Sequence, residues 1–166
     1  MSLIRVDSGA GRLSFGATSM ACTIGRSGAC VASDKCEGDG CTPLGVWPLR
    51  GMLLRPGKVD PAGLRLPWRW VRAGDGWSDD PADPAYNRPV RLPRCFSAES
   101  LIRADDAYDV IVILGHNDRP PVPGQGSAIF FHLSEGRSTA GCVAVERTDM
   151  LQLLPLLQPG DAMEIV

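Results

Sequence analysis

Apolar residues come mostly in runs of four to eight, bounded by turn formers drawn from 19 Gly and 14 Pro. That spacing predicts short strands rather than long helices. The strands expected on this pattern are residues 12–18, 45–54, 64–72, 108–114, 128–133, 142–145 and 162–166. Pro67 breaks the alternation of the third and marks it as an edge or bulged strand, because proline cannot donate to a ladder. A single helix is predicted from about Asp149 to Gln158. Thr148 is placed to cap its first turn, and Asp149 adds negative charge where the helix dipole favours it. Met150, Leu153, Leu154 and Leu157 form its buried stripe, and Pro155 should kink or shorten it. The fold class is mainly β, with one helix near the C-terminus and long irregular loops.

A length of 166 residues suits one domain with a real core. Between the predicted strands, residues 73–93 are rich in Asp, Pro and Gly and read as irregular. Trp77 and Tyr86 argue that this stretch is ordered, a cover over a site rather than a solvated linker.

With 17 basic and 19 acidic residues the net charge is −2, and neither sign forms a block. Nucleic-acid and membrane-surface partners are not indicated, which leaves a small molecule as the expected partner. The first seven residues have no apolar core of the kind export needs, and no segment approaches the roughly 18 apolar residues of a membrane helix. With Met1 as the start, the expected location is the cytoplasm. In that reducing compartment Cys22, Cys30, Cys36, Cys41, Cys95 and Cys142 are expected as free thiols. Cys30, Cys36 and Cys41 share a loop with Asp34, Glu37 and Asp39. Their spacing fits a structural zinc site poorly, so neither a metal nor another cofactor is expected.

The chemistry concentrates near the end of the chain. His132 ends the apolar run Ala128-Ile129-Phe130-Phe131, and Cys142 lies ten positions on, in Ser138-Thr139-Ala140-Gly141-Cys142-Val143. A free thiol has a pKa of roughly 8.5, so a neighbouring imidazole is what would make the sulfur a useful nucleophile. Gly141 lets backbone approach a substrate, and the amides of Gly141 and Cys142 are candidates for binding an oxyanion. A backbone carbonyl can orient the imidazole without an acid. His116, after the apolar strand ending at Leu114, is the rival base. By themselves these residues are also compatible with an ordinary buried Cys and His.

Ile129-Phe130-Phe131-His132 followed by Thr139-Ala140-Gly141-Cys142-Val143 resembles the signature of the YkuD family of L,D-transpeptidases. Gly25-Arg26, the loop from Glu37 to Gly45, Trp77-Ser78-Asp79-Asp80, Tyr86-Asn87 and Gly126-Ser127 extend the resemblance to a compact branch of that family, over roughly residues 20 to 166. Two positions depart from it: Ala140 stands where many members carry a second histidine, and Ala144 where many carry arginine. The His-to-Cys interval is also shorter than in exported members, which implies a trimmed loop over the site. The resemblance implies a β-sandwich-like catalytic domain, with Cys142 as nucleophile, His132 as base and Gly141 in the oxyanion site. Its substrate would be a peptidoglycan stem peptide or muropeptide, attacked at the diaminopimelate carbonyl to leave a thioester.

Water resolving that thioester makes an L,D-carboxypeptidase; an amine makes an L,D-transpeptidase. The expected location and the carboxypeptidases of the compact branch favour water, in peptidoglycan recycling. A muropeptide-binding module is the non-enzymatic alternative. Candidate substrate-binding residues are Thr139, Arg137, Arg26, His116, Asn117, Tyr86 and Asn87, with Arg88 and Arg119 as further carboxylate partners.

Overall fold

Strands form where apolar runs alternate, and also in stretches too short or too polar to announce themselves. The computed structural model describes residues 2–166. In chain order it has β1 (Leu3–Asp7), β2 (Arg12–Phe15), β3 (Thr18–Ala21), β4 (Ala29–Cys30), β5 (Thr42–Pro43), β6 (Gly45–Leu54) and β7 (Trp68–Trp70). These are followed by β8 (Asp75–Ser78), β9 (Pro89–Arg91), β10 (Ala98–Ser100), β11 (Val110–Leu114), β12 (Phe130–Leu133), β13 (Val143–Val145), α1 (Arg147–Leu153) and β14 (Ala162–Ile165). The fold is mostly β with one short α-helix, as expected for a YkuD-like sandwich. Among the described residues no helix is long and apolar enough to cross a membrane.

The large sheet runs β13-β12-β11-β6-β14-β1-β2-β3, with β7 paired to β6. The ten-residue β6 lets this sheet fold over: Gly45 to Pro48 pair with β14, and Leu49 to Leu54 pair with β11. A register shift at Ile113/Leu114 marks the change of partner. Such bulged strands are how one sheet turns a corner and packs on itself. Gly51 sits near this bend with φ +151°, and a Cβ there would meet the Pro67 carbonyl oxygen at 3.0 Å. Pro67 thus lies just outside β7, so the expected strand 64–72 shrinks to three residues.

Period-two alternation divides the sheet into two faces. Met52 and Leu54, Val110 and Val112, Phe131 and Leu133, and Val143 and Val145 point into the larger core, together with α1. Leu53, Ile111, Phe130 and Cys142 point the other way, into a smaller core with Trp77, Leu101 and Tyr108. The small sheet β10-β8-β9 supplies that second layer. Residues 73–93, read as irregular from sequence, are ordered as expected but contribute two of its strands.

Other boundaries move for local reasons. The expected strand 12–18 is a hairpin, because Gly16, at φ +59°, turns the chain so that Phe15 pairs with Thr18. In β1, Ile4 and Val6 are fully buried beside parallel β14, although Arg5 between them hid the strand. The helix starts earlier than predicted, with Glu146 at the N-cap and no side-chain cap from Thr148. It gives way to a 3-10 turn at Leu154–Leu156, where Pro155 has no N–H to continue the α-helical ladder. Met150, Leu153, Leu154 and Leu157 are buried, as the stripe required.

Candidate active site

The turn carrying Cys142 is held from two sides. β13 lies parallel to β12, with Phe131 opposite Val143 and His132 opposite Ala144. On its other edge, Thr23 exchanges backbone hydrogen bonds with Ala144 at 2.8 and 2.9 Å, and the Thr139 amide donates to the Ile24 carbonyl. Thr139 Oγ1 closes the turn internally, donating to the Cys142 carbonyl at 2.6 Å and accepting the Gly141 amide at 3.1 Å. That last bond occupies one of the two amides expected to receive an oxyanion. Gly141 has φ +142°, and a Cβ there would lie 2.8 Å from the Cys41 carbonyl oxygen, so only glycine fits.

His132 and Cys142 line one cavity of about 670 Å³, on the face of the sheet that holds Phe130. The imidazole is 6% exposed. Its Nδ1 lies 2.8 Å from the Leu133 carbonyl, which can only accept, so Nδ1 carries the proton and Nε2 is left as the basic atom. The Tyr108 ring packs edge-on against it, with centroids 5.3 Å apart. A backbone carbonyl, that of Leu133, thus orients the imidazole with no acid bonded to Nδ1.

The thiol differs from expectation. Cys142 Sγ accepts the Phe130 amide at 3.3 Å and donates to the Ala128 carbonyl at 3.2 Å, instead of bonding to His132. Burial, reinforced by the Glu99 carboxylate, pushes the thiol pKa up to about 12. Burial also lowers the pKa of His132, against the opposing pull of its Leu133 bond. At neutral pH the resting pair is therefore neutral thiol and neutral imidazole, with burial the first cause on both groups. Ala128, whose carbonyl holds the thiol, has φ +53°, a costly conformation for a non-glycine residue. Asn87 Oδ1 secures it by accepting the Ala128 amide at 3.1 Å.

Of the residues proposed from sequence to touch substrate, Arg26, Arg137 and Thr139 line the cavity and Tyr86, Asn87, His116 and Asn117 do not. Asn87 is 3% exposed and spends all its groups on the scaffold: Oδ1 also accepts Trp77 Nε1, and Nδ2 donates to the carbonyls of His116 and Asn117. Asn117 holds the following turn through Val122 and Gly126. Tyr86 donates its hydroxyl to Glu37. Arg88 and Arg119 line a second cavity of about 280 Å³ that contains neither His132 nor Cys142. Lys35, Glu37, Asp79, Glu99, Arg103, Tyr108 and Glu135 line the first cavity and were missed. Asp79 and Glu37 lay inside matched blocks, whereas nothing local marks Glu99.

His116, the rival base, is 5% exposed, packs edge-on against Trp47 and leaves Nδ1 without a partner. Burial lowers its pKa to about 4 from an ordinary 6.5. The unfolded chain therefore binds a proton below pH 6.5 that the folded chain refuses. Stability is present above that pH and falls as acid is added, down to about pH 4. Between pH 7 and 5.5 the loss from His116 should be about 1 kcal/mol. A His116→Phe variant should flatten that part of the curve of thermal midpoint against pH.

Cys30, Asp39 and Cys41 place ligand atoms within 4.8 Å of one another. Cys36, grouped with them from sequence, is exposed and bonds instead to the Asp34 carbonyl. The Asp39 oxygens are already taken by Lys35 Nζ and by the amides of Cys36 and Cys41.

A family model for the L,D-transpeptidase catalytic domain, YkuD, matches residues 3–165. The chain belongs to that family. Its chemistry is L,D-transpeptidase-type cysteine catalysis on peptidoglycan peptides. Neither the curated proteins nor the solved structures compared with the chain match it. Membership gives meaning to a buried sulfur and an oriented imidazole in one YkuD cavity.

Proposed function

We propose that this YkuD protein is a cysteine L,D-carboxypeptidase that removes the terminal D-Ala from a peptidoglycan tetrapeptide, as in the cytoplasmic recycling of wall peptides. The carrying observation is that Cys142 and an imidazole with a free Nε2 open on one cavity of about 670 Å³. That volume suits a single short peptide. The second cavity does not reach the sulfur, which favours water over a second peptide as the acyl acceptor.

In this mechanism Cys142 turns from the Ala128 carbonyl towards His132, and Nε2 takes the thiol proton as sulfur attacks the diaminopimelate carbonyl. The imidazolium then protonates the departing D-Ala nitrogen, leaving a thioester. His132 next deprotonates a water, whose oxygen attacks the thioester carbonyl, and the returned proton releases the thiol. Thr139 keeps the Gly141–Cys142 turn in place through these steps, and the oxyanion competes with Thr139 Oγ1 for the Gly141 amide.

Mass spectrometry of a disaccharide tetrapeptide incubated with the pure protein tests the proposal. Loss of one D-Ala without dimers is expected. Dimers or D-amino-acid exchange would assign the protein to transfer, and an unchanged peptide would remove the catalytic reading.

A further inference from the structure

Two thiols outside the catalytic pair lie together. β4 and β5 run parallel, with Ala29 opposite Thr42 and Cys30 opposite Pro43, so Cys30 on one strand stands near Cys41, just before the other. The Thr42 amide donates to the Gly28 carbonyl at 2.9 Å and the Leu44 amide to the Cys30 carbonyl at 2.8 Å, which fixes both backbones. The two sulfurs are within 4.8 Å of each other, and both residues are half-buried, within reach of a small solute. Cys22 and Cys142 are buried, and Cys36 turns to the Asp34 carbonyl. A metal ion would need a third ligand. The carboxylate grouped with the sulfurs, that of Asp39, is spent on Lys35 Nζ and on the amides of Cys36 and Cys41. The sulfurs are left to react with each other.

The chain between them is a wall of the catalytic cavity. Lys35, Glu37 and Gly38 line the same hollow as Cys142. Packing around this loop is too close to absorb movement. A Cβ on Gly25 would lie 2.1 Å from the Gly40 carbonyl oxygen, and one on Gly141 would lie 2.8 Å from that of Cys41. A disulfide brings its two sulfurs to roughly 2 Å. Closing the gap between Cys30 and Cys41 therefore moves the ends of the loop. The movement passes to its cavity-lining residues and, through the Cys41 carbonyl, to the turn that carries Cys142.

We propose that Cys30 and Cys41 form a reversible disulfide site, closed by a small-molecule disulfide, that distorts the wall of the Cys142 cavity and slows turnover. In the first exchange the Cys41 sulfur attacks one sulfur of the oxidant, which breaks the oxidant's S–S bond and releases one small thiol carrying the Cys41 proton. In the second, the Cys30 sulfur attacks the Cys41 sulfur, and the other small thiol leaves with the Cys30 proton. Two protein thiols are oxidised and one small disulfide is reduced to two thiols. The order follows from the surroundings. Burial first, then the hydrogen bond with Cys41 and that residue's charge, push the Cys30 thiol up to about 11, which makes it the poorer first nucleophile. Capping the Cys41 sulfur in the mixed disulfide removes the last two of these causes and frees Cys30 for the second step. The disulfide stands independently of the carboxypeptidase reading, whereas its effect on turnover rests on that reading.

The full chain, equilibrated in glutathione buffers from fully reduced to fully oxidised with a chelator present, tests it. Free thiols are then alkylated and the peptides mapped by mass spectrometry. A crosslinked peptide pair joining Cys30 to Cys41 should appear in the oxidised buffer and vanish on reduction with dithiothreitol. Release of D-Ala from a disaccharide tetrapeptide should fall at least about tenfold as the crosslink forms and return when it is reduced. The double variant Cys30→Ser, Cys41→Ser should keep the turnover of the reduced enzyme in every buffer, with its thermal midpoint showing that it is folded. Absence of the crosslink in the unsubstituted protein would overturn the site, and so would a loss of turnover that persists in the double variant. A crosslink that leaves turnover unchanged would overturn its coupling to the cavity. A reduced protein that forms the crosslink on oxidation but never cleaves the tetrapeptide would overturn the catalytic reading and leave the disulfide standing.

Discussion

Cys142→Ala is expected to lower tetrapeptide turnover by at least about 10⁴-fold, since removing a covalent nucleophile leaves only binding and polarisation of the substrate. The variant should stay folded, because the neighbours of Sγ are a backbone amide and a carbonyl that make only sulfur hydrogen bonds with it. The pH profile of the unsubstituted enzyme follows from the neutral resting pair. His132 accepts a proton only when unprotonated, and its pKa lies below the ordinary 6.5. Activity should therefore rise with pH on a limb centred below 6.5 and level off through neutrality. Ionisation of a thiol at about 12 should leave no mark near pH 8. Turnover that survives in Cys142→Ala would identify the wrong nucleophile.

A large loss of stability is expected at Asp109, which is fully buried just before β11. One carboxylate oxygen pairs with Arg147 at the start of α1 and the other reaches Arg55 at 3.5 Å, just past β6. The same residue's carbonyl accepts the Arg55 amide at 2.9 Å. Asp109 thus ties the helix to two central strands. Asp109→Ala should cost about 3 kcal/mol, the range for removing one partner of a buried ionic network. Glu164→Ala, which breaks the exposed pair with Arg5, should cost under about 1 kcal/mol. Urea denaturation of both variants measures the contrast, and comparable losses would contradict it.

Much of the site was legible because it depends on short-range pattern. The alternation Ile129, Phe130, Phe131, His132 puts Phe130 and His132 on one face, and the turn at Gly141 announces a backbone conformation that other residues resist. What was not legible is long-range. Sequence suggested a turn between two neighbouring strands but not that β12 and β13 run parallel. It gave no sign that Glu99, from the small sheet, lines the same cavity as the sulfur. Asn87 matched the family pattern as well as the cavity residues did, and Asn117 was a candidate substrate contact outside that match. Only the structure shows that their side chains are consumed in holding backbone. The thiol pKa was misjudged because proximity to an imidazole can be read from a chain, whereas desolvation is a property of the folded surroundings.

The outer edge of β13 is closed by its bonds to Thr23 and by the neighbouring contact between Thr139 and Ile24. An incoming peptide therefore cannot dock there by extending the sheet as an added strand, and neither can another chain during aggregation. Recognition has to come from side chains and charge within the hollow, which leaves ligand preference open to change by point substitution without altering strand pairing.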